Sequence, residues 1–136
     1  MKDKKRILLD SYAMLCFFYA ESGSEKVKNV LLNAREGSIE LLMNWVNIGE
    51  VYYSVYRKLG KVDAENAISL MKSYPIRRID VTGEIALAAA RLKATFSTAY
   101  ADCFAAATAK LLSAAVLTGD PEFKALEPGI KVEWIS

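Results

Sequence analysis

Compact apolar runs alternate with longer amphipathic ones along the chain. "RILLD" (6–10) is a short apolar run closed by an acid, the pattern of a buried strand. "AMLCFFYA" (13–20) follows as a helix that stops at Gly23. Ser24 is placed to cap a helix over 25–35, where Val27, Val30, Leu31 and Ala34 recur at helical spacing, and Gly37 ends it. "IELLM" (39–43) predicts a second strand; Asn44 can cap a helix running to Leu59, with Gly60 just beyond. Residues 62–73 form another helical stretch, closed by Pro75. "IRRIDV" (76–81) reads as a third strand, and Thr82 opens a helix to about Lys93. Residues 98–113 are strongly helical, with Thr98 as the predicted N-cap. "AVLT" (115–118) and "KVEWI" (131–135) supply the last two strands. Repeats, low-complexity segments and linkers are absent from the pattern.

Strands separated by helices require right-handed crossovers. They predict an α/β fold, a three-layer α/β/α sandwich around a mainly parallel sheet of about five strands. A chain of 136 residues fits one such domain, spanning 1–136. In open sheets of this kind the reactive crevice lies beyond the carboxyl ends of the strands. That rule selects Asp10, the last residue of the first strand run, and Asp120, two residues after the fourth. Asp80 competes, but Val81 carries the apolar run past it, so Asp80 reads as a solvated side chain within the strand. An aspartate between strand and helix is also an ordinary N-cap, worth about 1 kcal/mol. Pro121 at a first helical position suits that role for Asp120, and both readings stay open.

Asp102 is harder to explain as a surface residue. Its helix, "AYADCFAAATAK", is apolar almost all round, so a carboxylate there must be paired, hydrogen-bonded or bound to a cation. The helix dipole offers only about 0.3–1 kcal/mol, too little to hold a desolvated charge. Glu50 carries a weaker signal. Trp45, Ile48, Tyr52, Val55, Tyr56 and Leu59 share one helix face, while Glu50 falls on the other, between Val46 and Tyr53. Periodicity therefore exposes it, with a partly apolar flank that leaves room for a second groove.

Composition narrows the chemistry. With 53% apolar residues the chain can bury a substantial core and is not disordered by composition. A formal charge of +2 does not announce a nucleic-acid binder, although "KDKKR" (2–6) and Arg77-Arg78 leave a local basic patch open. Histidine is absent, which removes Ser-His and Cys-His catalysis and His-ligated zinc. Cys16 and Cys103 belong to no CxxC pair and read as small buried hydrophobes in a reducing compartment. "MKDKKRILLD" places an aspartate where the apolar region of a secretory leader would build, and charges interrupt both of the most apolar stretches. A cytoplasmic protein with no membrane span is expected. Two carboxylates about 4 Å apart repel by roughly 4 kcal/mol at an effective dielectric near 20, so converging acids need a proton or a cation. Oxygen ligands alone favour Mg²⁺ or Mn²⁺ over zinc.

"ILLDSYAML", "NIGEVYYSV", "AYADCFAAATAK" and "VLTGDPEF" resemble the four acidic blocks of the PIN domain, and are most like those of the toxin ribonucleases of VapBC toxin–antitoxin pairs. The likeness runs from the first strand to the last and keeps the order Asp, Glu, Asp, Asp. The resemblance implies that Asp10, Glu50, Asp102 and Asp120 form a catalytic quartet. Asp10 and Asp102 would be the principal ligands of Mg²⁺ or Mn²⁺, and Asp120 would complete the site directly or through water. Glu50 would hold a second ion or position the attacking water. Ser11 and Thr118 match hydroxyls that often support the quartet; local turn hydrogen bonding is the other reading. Tyr12 departs from the small hydroxyl residue often found at that place, which bears on local substrate contacts.

The implied activity is hydrolysis of an RNA phosphodiester in which the cation activates water and polarises the phosphoryl oxygen. The implied partners are an RNA substrate, a second copy in a homodimer and a cognate antitoxin. Arg6, Arg77, Arg78 and Lys93 are candidates to offset repulsion between RNA and the acids. A processing PIN nuclease and a catalytically silent PIN-like binding module are the alternatives. An aspartyl phosphoacceptor ranks low because Asp10-Ser11-Tyr12 lacks the second acid of a DxD pattern. A dinucleotide-binding domain ranks lower, since no GxGxxG follows the first strand.

Overall fold

Every strand predicted from the apolar runs is present in the computed structural model, which describes residues 4–135. β1 (Lys5–Leu9), β2 (Ile39–Asn44), β3 (Ile76–Ile79), β4 (Ala115–Thr118) and β5 (Val132–Trp134) form one sheet in the order β3-β2-β1-β4-β5. All four pairings are parallel, with Ile7 opposite both Leu41 and Ala115. Parallel neighbours cannot be joined by tight hairpins, so helices make the crossovers. α1 (Ser11–Phe18) and α2 (Ser24–Arg35) lead from β1 to β2; α3 (Trp45–Leu59) and α4 (Lys61–Lys72) lead to β3. α5 (Gly83–Thr95) and α6 (Tyr100–Leu111) carry the chain back past β1 to β4. α7 (Phe123–Leu126) and a 3₁₀ turn at Glu127–Gly129 precede β5.

The alternation of side chains along a strand builds the three layers. Ile7 and Leu9 pack with Val27, Leu31, Ile48 and Val55 on the α1–α4 side. Leu8 points the other way and packs with Leu42, Val116, Phe123 and the alanines 105, 106 and 109 of α6. Those small residues let the α6 backbone approach the sheet closely, and Leu8 is fully buried beneath it. Removing the Leu8 side chain down to Ala would cost about 2–5 kcal/mol. Among the described residues no helix is long and apolar enough to cross a membrane. Cys16 and Cys103 are buried and free.

Several predicted local features hold and several do not. Asn44 caps α3, its side chain accepting the Val46 N–H at 2.8 Å, and Thr82 caps α5 through the Ile85 N–H at 3.1 Å. Ser24 is not a cap: Gly23, at φ +93°, is the N-cap residue and Ser24 is the first helical one. A Cβ at Gly23 would also fall 2.2 Å from Ile135 Cγ2, so the close approach of the residue that follows β5 selects glycine there. Thr98 does not cap α6, which starts at Tyr100 behind Ala99; the buried Thr98 hydroxyl lies 3.2 Å from Cys103 Sγ instead. β3 ends at Ile79, so Asp80 is exposed beyond the strand rather than within it.

The buried face of α3 is also rotated from the predicted one. Asn47, Ile48, Val51 and Val55 are buried, whereas Trp45, Tyr56 and Leu59 are exposed. Aromatic rings dominated the apparent apolar stripe, but tyrosines keep their polar ends in water, as Tyr52 does by donating to Glu65 at 2.7 Å.

Candidate metal centre

From β1 the chain moves outward to β2 and β3, then returns to pair β4 on the other side of β1. This reversal opens a crevice at the carboxyl ends of β1 and β4. Asp10 follows β1 directly and is 1% exposed. It is the N-cap of α1, with Oδ1 accepting the Ala13 N–H at 2.8 Å. Its Oδ2 accepts a hydrogen bond from the Thr118 hydroxyl at the end of β4. The same hydroxyl oxygen accepts the Asp120 N–H at 3.0 Å, so Thr118 ties Asp10 to the segment that carries Asp120.

Asp120 does cap, but not a helix. Its Oδ1 accepts the Glu122 N–H at 3.0 Å, closing a turn through Pro121, and α7 begins only at Phe123. The turn brings Glu122 toward the crevice, where its Oε1 accepts the Ala99 N–H at 3.1 Å, just before α6. Asp102 stands in the first turn of α6 and is 5% exposed. One carboxylate oxygen from each of Asp102, Asp120 and Glu122 lies within 4.8 Å of the others. At that separation each ionised pair repels by about 3 kcal/mol at an effective dielectric near 20.

Asp102 bears the sharpest strain of this arrangement. Its Oδ2 is buried and has no hydrogen-bond partner. Burial, then the charges of Asp120, Asp10, Glu122 and Glu50, push its carboxyl up to about 8. Asp10 is pushed up to about 7, chiefly by burial; the Thr118 and Ala13 hydrogen bonds oppose this, and the charges of Asp120 and Glu50 add to it. Glu50 is half-buried rather than on a free face, because Ser11 Oγ donates to its Oε1 from the start of α1.

Asp102 and Asp120 therefore meet directly, Asp10 is joined to them through Thr118, and Glu50 stands at the margin through Ser11. Glu122 was not singled out from sequence; its signal is the Asp-Pro-Glu order, in which a turn at Pro121 folds the second acid back beside the first. Asn47 was also missed. It is fully buried, and its Nδ2 donates to the Ala101 carbonyl at 3.1 Å, bracing the first turn of α6 next to Asp102. Its position four residues before Val51, on the buried stripe of α3, was the available signal.

The basic candidates divide. Arg6 and Arg77 both pair with Glu40, at 3.2 and 3.3 Å, near the amino end of β2 and away from the acids. The basic run 2–6 lies partly outside the described residues; within them Lys5 pairs with Glu133. Arg78 lies 5.9 Å from the Trp45 ring centroid, and Lys93 donates to the Thr98 carbonyl at 2.6 Å, close to the start of α6.

Oxygen donors around an orphaned buried carboxylate oxygen fit a hard divalent ion, which would supply the missing partner and offset the repulsion. Comparison with known proteins agrees in fold. The family model described as the PIN domain matches residues 7–127. No curated protein sequence matches the chain significantly. Among solved structures, VapBC2 from Rickettsia felis, bound to a DNA fragment from its promoter, contains a chain that superposes with a TM-score of 0.77 at 16% identity. That match covers 95% of this chain and 98% of the other. A chain of DNA-bound VapBC from Salmonella typhimurium gives 0.75 at 16% identity, over 97% and 99% of the two chains. VapC20 from Mycobacterium tuberculosis, a toxin that cleaves the sarcin–ricin loop, gives 0.73 at 15% identity, over 91% and 95%.

Proposed function

Because the chain belongs to the PIN domain family, we propose that it is a metal-dependent endoribonuclease and the toxin of a VapBC-type toxin–antitoxin pair. The observation that carries this reading is the buried, unpartnered Asp102 Oδ2 beside carboxylate oxygens of Asp120 and Glu122. Asp10, Asp102 and Asp120 are the proposed ligands of Mg²⁺ or Mn²⁺, and Glu122 is added to them on distance. A bound divalent ion would activate water and offset charge developing on the phosphoryl group.

The protein's own side chains prepare that site. Thr118 holds one Asp10 oxygen while the α1 backbone holds the other, so the carboxylate is set in one orientation before any ligand arrives. Burial and the neighbouring acids favour a proton on Asp102 up to about pH 8, and a divalent ion held there would favour the ionised carboxylate instead. Glu50, steadied by Ser11, is positioned at the margin to orient water or accept a proton. The reading includes an RNA substrate, a homodimer, a cognate antitoxin that blocks the crevice and a cytoplasmic location.

Purified protein with Mg²⁺ or Mn²⁺ should cleave RNA, and Asp10→Asn and Asp102→Asn should lose both Mn²⁺ affinity in titration calorimetry and cleavage. If the protein cleaves no RNA and both variants bind Mn²⁺ as the parent does, the nuclease reading is wrong. Growth arrest on expression of this chain alone, relieved by co-expressing the neighbouring reading frame, separates a toxin from a processing nuclease.

A further inference from the structure

The loop leaving β4 holds a glycine that its backbone does not require. Gly119 lies between Thr118 and Asp120 and has no left-handed φ. What excludes a side chain is the ring of Tyr12. A Cβ on Gly119 would lie 2.4 Å from Tyr12 Cε1 and 3.1 Å from both Cδ1 and Cζ. The ring is thus seated against the strand end that ties Asp10 to the segment carrying Asp120. It is not there to fill the core: α1 buries Ser11, Ala13, Met14 and Cys16, while Tyr12 stays 46% exposed.

Tyr12 stands beside parts of the acidic crevice. Asp10 precedes it by two residues, and the adjacent Ser11 reaches Glu50. A crevice lined by carboxylates repels a polyanion, and Arg6 and Arg77 are paired elsewhere. A contact that does not depend on charge adds to what a bound cation and Lys93 can supply in holding a nucleic acid close to the acids. An exposed aromatic ring supplies one, because every base has a face that can stack on it.

We propose that Tyr12 is a stacking residue for the nucleobase next to the phosphodiester presented to the acids, with Gly119 supplying the space for its ring. The inference rests on the RNA-cleaving reading above. Stacking on one aromatic ring typically changes affinity by on the order of 10-fold.

Two measurements test it. Steady-state cleavage of short ribo-oligonucleotides should show KM raised about 10-fold in Tyr12→Leu with kcat little changed, while Tyr12→Phe and Tyr12→Trp behave as the parent. Binding of the same oligonucleotides carrying 2-aminopurine at successive positions, read in an Asp102→Asn background without metal, should show stacking quench at one position, kept by Tyr12→Phe and lost by Tyr12→Leu. Gly119→Ala displaces the ring while leaving Tyr12 in the sequence and should reproduce the KM rise, which guards against a Tyr12→Leu variant that simply folds poorly. Cleavage by the parent with KM and quenching unchanged in Tyr12→Leu overturns the role of Tyr12 alone. Absence of RNA cleavage by the parent overturns the nuclease reading and this one with it.

Discussion

Replacing Asp102 with Asn should make the metal-free protein more stable at pH 8, and should abolish its stabilisation by Mg²⁺. The side chain keeps its shape, and the new amide can donate to Asp120 or Glu122 where a carboxylate oxygen now has no partner. The Asp102 carboxyl is raised from 3.8 to about 8. Each tenfold change in proton affinity is worth about 1.4 kcal/mol, so ionising Asp102 in the metal-free fold costs at most about 6 kcal/mol. Solvent reaching Asp120 and Glu122 screens part of that repulsion, and about 2–4 kcal/mol is the expected gain.

The sign follows from proton binding. Between about pH 4 and pH 8 the folded protein retains a proton that the unfolded chain releases. Wild-type stability in chelator should fall through that window and level off above it. Asp10, raised to about 7, adds a dependence of the same sign to both proteins, so their difference reports Asp102 together with its coupling to the Asp10 charge. The gap should therefore be small near pH 4 and full at pH 8. Urea unfolding followed by the fluorescence of Trp45 and Trp134, at both pH values and with chelator or Mg²⁺, measures it. Saturating Mg²⁺ should restore the wild type by about 3 kcal/mol at a hundredfold excess over Kd, and leave the variant unmoved. An Asp102→Asn protein less stable than wild type at pH 8 in chelator would refute the reasoning, because the carboxylate would then be satisfied by the fold itself.

Ser11→Ala removes the donor that steadies Glu50; cleavage should drop about 10-fold while calorimetric Mn²⁺ affinity is preserved, and unchanged cleavage would leave the hydroxyl a local turn role. Thr108→Val strands the buried Asn44 Nδ2, now 2.9 Å from the Thr108 hydroxyl, and should cost about 1–3 kcal/mol in urea unfolding; Thr108→Ser should recover most of it. Gly23→Ala forces a side chain into φ +93° and against Ile135 Cγ2, with an expected loss of about 2 kcal/mol or more, checked by thermal denaturation; an unchanged Tm would contradict the close packing of Ile135 there.

Local interactions explain which features were legible in the sequence. The limits of β4 at "AVLT", and the caps at Asn44 and Thr82, depend on residues adjacent in the chain. The α6 start and the Asp120 turn depart from the expectation because other groups, one of them distant in the chain, compete for the capping atoms. Glu122, far along the chain, takes the Ala99 N–H, the Thr98 hydroxyl pairs with Cys103 Sγ five residues on, and the Asp120 side chain closes a turn before a helix can begin. Arg6 and Arg77 are equivalent to Lys93 as candidate cations in the sequence, but the registers of β1 and β3 on either side of β2 bring Glu40 to both arginines.

Hydrophobic periodicity and turn residues, read along the chain, were sufficient to specify a parallel α/β sandwich and to send acids to the carboxyl ends of its strands. Which of those acids meet was decided only in three dimensions. The strand order β3-β2-β1-β4-β5 puts Asp10 beside Thr118, and the packing of α6 on the sheet carries Asp102 to Asp120 and Glu122. Coulomb and desolvation energies depend on separation and burial rather than on sequence distance, so the proton affinities of Asp10 and Asp102 are properties of the fold.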